Sequence, residues 1–142
     1  MNETERAIAL LRQGDYSCVL CDRDRVLTDR RRGIAPILER IEAGELLDGM
    51  AVADKIIGKA AAMLLLCGGA RSVYGEVMSE PAKALLEDAG VEVAYGTLVK
   101  AIRNRTDTDI CPMEKAVAPL ETPAEAPAVL RAALNRLQKG TP

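Results

Sequence analysis

The stretch MAVADKIIGKAAAMLLLCGGARSVYGEVMSEPA, residues 50–82, decides the fold. A short apolar lead-in, residues 50–53, runs into Asp54, and from there Ile56, Ile57, Ala60, Ala61, Met63 and Leu64 recur as one broad helical face. This predicts a largely buried helix, capped by Asp54 and stopped at Gly68-Gly69. A strand is expected over residues 72–77. Ser79-Glu80-Pro81 then opens another helix with Leu85 and Leu86 inward, Gly90 closes it, and residues 91–95 form the next strand. Alternating helix and strand implies parallel strands with the helices packed over the sheet.

Working outward, residues 4–13 carry Ile8, Leu10 and Leu11 at near-helical spacing, with Thr4 as cap and Gly14 as stop. Residues 16–21 and 25–28 flank the turn-forming Asp22-Arg23-Asp24 and read as a β-hairpin. A helix over residues 34–43 buries Ile34, Ile37, Leu38 and Ile41; Pro36 sits in its first turn and Gly44 closes it. The hairpin adds an antiparallel pair, so the fold class is α/β: a three-layer α/β/α sandwich with one mixed sheet. Residues 98–102 suit strand or loop. After a polar loop, residues 103–109, Cys111-Pro112-Met113-Glu114 begins a helix. Pro119, Pro123 and Pro127 form a joint before a last amphipathic helix carrying Val129, Leu130, Ala133, Leu134 and Leu137. Thr122 and Glu125 suit a capping box, but Pro127 would then lie inside the helix, which argues for a later start. Residues 1–118 are thus expected to form one α/β domain, with residues 119–142 packed on it and residues 140–142 frayed.

Composition removes whole classes of chemistry. The 142 residues contain no His, which excludes histidine bases, histidine metal ligands and Ser-His-Asp machinery. A net charge of -2 and 2% aromatics argue against nucleic acid, which needs a phosphate-neutralising surface and rings for stacking. The longest apolar run, residues 60–67, is far short of the roughly 20 residues of a membrane span, so no membrane partner is expected. The acidic start Met1-Asn2-Glu3-Thr4-Glu5 lacks signal-peptide character, which predicts a cytoplasmic protein whose four cysteines are reduced.

Lys55 and Lys59 stand four apart at the start of the Asp54 helix, where like charges and the positive end of the dipole both disfavour them. A bound anion would reverse that sign, and Gly58 would allow its close approach. The plain alternative is solvated lysines, an ordinary Asp54 cap and Gly58 as a packing residue. No P-loop is present, because Ala53 stands where the first glycine belongs and Ala60 follows Lys59. Cys18 and Cys21 have metal-pair spacing, yet in a strand residues three apart point to opposite faces, so a structural role is expected. Cys67 reads as core. Cys111, at a helix start near Arg103 and Arg105, is a candidate nucleophile; Glu114 opposes its ionisation, and a weak cap is the alternative. Arg30, Arg31 and Arg32 read as a solvated loop.

Four ordered segments, residues 16–20, 52–62, 77–82 and 111–117, resemble a small prokaryotic family, domain of unknown function 1893, placed in the cytidine deaminase-like superfamily. The resemblance covers about residues 5–118 and implies the same three-layer fold as the residue-level reading. It supplies no activity. Zinc deaminases carry His-x-Glu or Cys-x-Glu at one helix start and Pro-Cys-x-x-Cys at the next. The corresponding starts here, Asp54-Lys55-Ile56 and Met78-Ser79-Glu80-Pro81, offer neither His nor Cys, so no metal and no cofactor are expected. The functional expectation is a site for an anionic, nucleotide-like or phosphorylated small molecule. In it Asp54 orients the ligand or accepts a proton, Lys55 and Lys59 hold the anion, Ser79, Arg105 and Glu114 complete the lining, and Cys111 is the nucleophile. Two alternatives stand beside it: a non-catalytic module that pairs with a partner or as a homodimer, and thiol chemistry at Cys111.

Overall fold

A single mixed sheet organises the chain. The computed structural model describes residues 1–140; Thr141 and Pro142, where part of the expected fraying falls, lie outside the described residues. Helix α1 (Glu3–Gln13) starts from an Asn2/Glu5 capping box, two residues ahead of the expected Thr4 cap. Strands β1 (Cys18–Cys21) and β2 (Val26–Asp29) form the antiparallel hairpin, followed by α2 (Ala35–Glu42). Then come β3 (Ala51–Ile57), α3 (Lys59–Gly68), β4 (Ser72–Ser79), α4 (Glu80–Asp88), β5 (Glu92–Val99), α5 (Pro112–Val117), a 3₁₀ turn (Pro123–Glu125) and α6 (Ala126–Gly140).

The strand order is β2-β1-β3-β4-β5, with β1 antiparallel to both neighbours and β3, β4 and β5 mutually parallel. The strand alternation assigns the layers. Val19 and Cys21 face one side with Ala51, Ala53 and Tyr74, under Ala7 and Leu11 of α1. Cys18 and Leu20 face the other, in the larger core with Ile37 and Leu38 of α2, most of α3, Leu86 of α4, Val117 of α5 and Leu130 of α6. Among the described residues, one helix therefore covers one face and five cover the other. The two sulfurs of β1 diverge, as extended geometry requires.

Three expectations are corrected or resolved. The stretch after Asp54 is strand through Ile57, and α3 begins only at Lys59 with Gly58 as its cap. The β-branched pair Ile56-Ile57 extends the strand, and its apolar spacing had mimicked a helical turn. Residues 98 and 99 finish β5. The Thr122/Glu125 capping box exists but opens the 3₁₀ turn, which leaves Pro127 in the first turn of α6, where it breaks no hydrogen bond. α6 buries Ala126, Leu130 and Ala133 in the common core, and Arg131 grips Glu42 of α2 with two bonds of 2.6 and 2.8 Å. No described helix is long and apolar enough to cross a membrane.

Candidate functional site

The N-terminus of α3 does attract an anion, and the chain supplies it. Glu114, on α5, accepts from the backbone N–H of Lys59 at 2.8 Å and of Ala60 at 3.0 Å. These are two of the donors that a helix start leaves without partners, and Gly58 offers no side chain to cap them. A Cβ on Gly58 would lie 2.6 Å from the Glu114 carboxylate, so glycine here makes room for a side chain of the same molecule. The Lys59 ammonium donates to the carbonyls of Ala118 at 3.1 Å and Leu120 at 2.9 Å, closing the far end of α5. Lys59 and Glu114 are thus spent on holding α5 against α3. The expectation that Lys55 and Lys59 share a helical face is overturned, since Lys55 lies in β3 on the opposite side of the sheet.

The other expected residues do not converge there. Ser79 caps α4, its buried Oγ accepting from Ala82 N–H at 3.2 Å. Arg105 lies on the exposed turn of the loop over residues 103–110. Cys111 precedes a helix of six residues, half-buried against the core, and no described hydrogen bond reaches its sulfur. Cys67 is half-buried and donates to the Pro123 carbonyl at 3.1 Å. Asp54 is no cap: it sits inside β3, directly opposite Cys18, and only 8% of it is exposed. Burial pushes its carboxyl from 3.8 up to about 7, against the hydrogen bonds it accepts from Ile56 N–H, at 3.0 Å, and from the Cys18 thiol. Burial and the neighbouring Asp54 push the Cys18 thiol up in turn.

Beside Asp54 the sheet breaks its own alternation. Pairing of β3 with β4 runs to Asp54↔Gly75 and resumes at Ile56↔Val77; pairing of β4 with β5 runs to Gly75↔Tyr95 and resumes at Val77↔Thr97. Lys55, Glu76 and Gly96 stand abreast at the skipped level. Val52 and Val73 face the larger core before it, and Ile57 and Met78 face the same core five residues later. Strict alternation would put residues five apart on opposite faces. The strands therefore share a bend, aligned across all three. The glycines fit it: a Cβ on Gly96 would meet the Glu76 carbonyl oxygen at 2.7 Å, and one on Gly75 would meet the Val77 carbonyl oxygen at 2.9 Å.

The bend turns two consecutive residues of β3 and of β4 to the α1 side. Lys55 and Ile56, with Glu76 and Val77, line a cleft of about 510 Å³ that is completed by Leu11, Arg12 and Gly14 at the end of α1. Ile56 is 52% exposed on its floor. One wall is a fixed network: Glu76 accepts from the Tyr74 hydroxyl at 2.6 Å and from Arg12 Nε at 3.2 Å, while Arg12 Nη2 donates to Tyr74 at 3.0 Å. The Tyr74 hydroxyl and then Arg12 hold the Glu76 carboxyl below its ordinary range. At the rim Tyr16 packs against Gly14 and carries the Arg30 guanidinium 4.7 Å from its ring centroid. Among the described residues Lys55 has neither an ion-pair nor a side-chain hydrogen-bond partner, so its ammonium faces the cleft uncommitted. A smaller hollow of about 240 Å³ lies between β2 and α2, but its Arg31 and Arg40 are already paired with Asp29, Glu39 and Glu45.

Sequence reasoning named Lys55 and missed the cleft around it. The available signals were Gly75 and Gly96, single glycines inside strand patterns, which mark bulges or close backbone approach. The profile of the TM1506 family, a domain of unknown function (DUF1893), matches residues 6–134. A crystal structure of a DUF1893 family protein, TM1506, from Thermotoga maritima is similar over 95% of this chain and 90% of that one, with 26% identity and a TM-score of 0.82. No curated protein matches the chain.

Proposed function

The chain belongs to the DUF1893 family, and we propose that it binds a small anionic metabolite, nucleotide-like or phosphorylated, in the cleft beneath the end of α1. The aligned bend carries this reading, because it places an uncommitted cation beside an exposed apolar floor toward the carboxyl ends of parallel strands. Ligands of open α/β sheets gather at such ends. Lys55 anchors the anion, Ile56 and Val77 support the apolar body, and Arg30 adds positive potential at the rim. A cleft of about 510 Å³ suits a molecule of nucleotide size.

Helix starts after two adjacent parallel strands are also the places where the cytidine deaminase-like superfamily builds its metal centre, and we read the fold as a member of that superfamily. The donors do not fit zinc: Gly58 and Lys59 open α3, Ser79 and Glu80 open α4, and the Glu114 carboxylate is already bound to backbone N–H groups. The reading therefore takes no step through a metal, and ligand binding is moved to the opposite face of the sheet.

Thermal denaturation with AMP and with ribose 5-phosphate as probes tests the proposal. A ligand at 100 times its dissociation constant adds about 2.7 kcal/mol, several degrees in a domain of this size. Lys55→Ala is expected to weaken the affinity at least tenfold, since a charge-assisted hydrogen bond is worth about 1.5–3 kcal/mol, and so to cut the stabilisation at that ligand concentration to about half or less. Equal responses of wild type and Lys55→Ala, or none, would remove the site.

A second reading, self-association, is favoured by β5. This eight-residue outer strand carries Glu92 as its single charge and pairs only on its β4 side among the described residues. Light scattering decides it: a concentration-independent monomer would rule out a β5 homodimer.

A further inference from the structure

We infer that Asp54 is the catch of the bend: its ionised carboxylate holds the Ile56 N–H and so fixes the cleft floor, and protonation releases it. The argument starts from what a strand residue ordinarily does. An Asp inside a buried strand hydrogen-bonds its neighbours' backbone in competition with the ladder. Here Asp54 Oδ1 accepts from the N–H two residues on, at 3.0 Å, which is the turn that lets Lys55 and Ile56 face the same side. An ionised carboxylate at a buried position needs such donors, and a protonated one does not. The bent strand and the charged form therefore stabilise each other.

The surroundings concentrate the response on this group. From β1 it faces the Cys18 thiol, from β4 it faces Gly75, and on its own strand Lys55 lies on the far side of the sheet. Asp29 of β2 and Arg40 of α2 act on the Cys18 thiol from further out. Asp29 is held ionised by Arg31, which keeps it silent near neutrality. α3 brings Ala60, Ala61 and Ala62 to this core, and no cation pairs with Asp54 among the described residues. Because the folded carboxyl binds its proton more tightly than the unfolded one, Asp54 favours folding most fully at low pH. That contribution declines as pH rises from about 3.8 to about 7 and is constant above.

This inference rests on the cleft being the binding site, but its test needs no ligand. In ligand-free protein, the Ile56 amide and the Ile56 and Val77 methyl groups are expected to titrate together in NMR spectra with one midpoint near 7, while the Leu86 methyl groups stay still. Asp54→Asn removes the titrating group at nearly constant size, so the three signals should become pH-independent. Cys18→Ala removes a donor to the charged form and should move the midpoint upward in a protein whose Asp54 is intact. Signals that do not titrate, that titrate equally in Asp54→Asn, or that keep their midpoint in Cys18→Ala would overturn the inference. A failed probe screen with a normal titration would instead count against the binding site alone.

Discussion

Glu114→Ala is expected to lose about 2–3 kcal/mol of stability, a fall in melting temperature on the order of 10 °C. The carboxylate is the cap of α3. Its removal leaves the N–H groups of Lys59 and Ala60 without an acceptor at a junction walled by Gly58 and α5. Charge-assisted bonds to a helix start are among the stronger ones, and the dipole adds to them. Gly58→Ala should cost nearly as much by another route. The backbone of Gly58 is extended, with φ -103°, so alanine is locally acceptable there. Its Cβ, however, would lie 2.6 Å from the same carboxylate and expel it. The double variant is therefore expected to cost clearly less than the two single losses combined, because both remove one interaction. Additive losses in chemical denaturation would show that Glu114 and Gly58 act separately. Glu114→Gln, which keeps an oxygen but no charge, should fall between wild type and alanine.

The second large effect is expected at an exposed position where alanine would ordinarily help. Gly96 lies in the outer strand β5, and replacing a strand glycine by alanine usually gains about 0.5–1 kcal/mol through the unfolded chain. Here the new Cβ would stand 2.7 Å from the Glu76 carbonyl oxygen, a backbone atom, and 3.3 Å from the Tyr74 hydroxyl. Strands β4 and β5 must move apart or lose the bend. Gly96→Ala is therefore expected to destabilise by about 1–3 kcal/mol. Gly75→Ala, between the Val77 carbonyl oxygen at 2.9 Å and Ile57 Cβ at 3.1 Å in the middle of the parallel strands, should be at least as costly. Both should also weaken the response to the phosphorylated probes. A stabilising Gly96→Ala would mean that the bend yields cheaply and does not shape the cleft.

Much of the architecture was legible because single residues fix local geometry. Ser79 and Pro81 announced α4, Gly68-Gly69 ended α3, and the hairpin around Asp22 and Asp24 declared the antiparallel pair. The alternation of Cys18 and Cys21 told their faces apart. The start of α3 was misread because apolar residues at 56, 57, 60, 61 and 64 satisfy a helical period whether or not the first two are extended. A local pattern cannot report that Asp54 will face Cys18 across a strand pair formed 36 residues apart in the chain. The anion at α3 was foreseen as a kind of ligand and not as Glu114, since nothing in the spacing says that α5 returns to that end. Lys55 was named for its charge, on a supposed helix, and its actual place follows from an irregularity shared by three strands.

α6 has a bearing on how the chain is made. Leu130 and Ala126 are fully buried beside Val117 and the middle of α3, so the five-helix face stays partly bare until they arrive. On a ribosome the sheet and α1 can begin to organise early, yet that apolar surface has no final cover until residues 126–134 have been synthesised and have left the exit tunnel. Nascent chains stalled before that point are the ones a chaperone would be expected to hold.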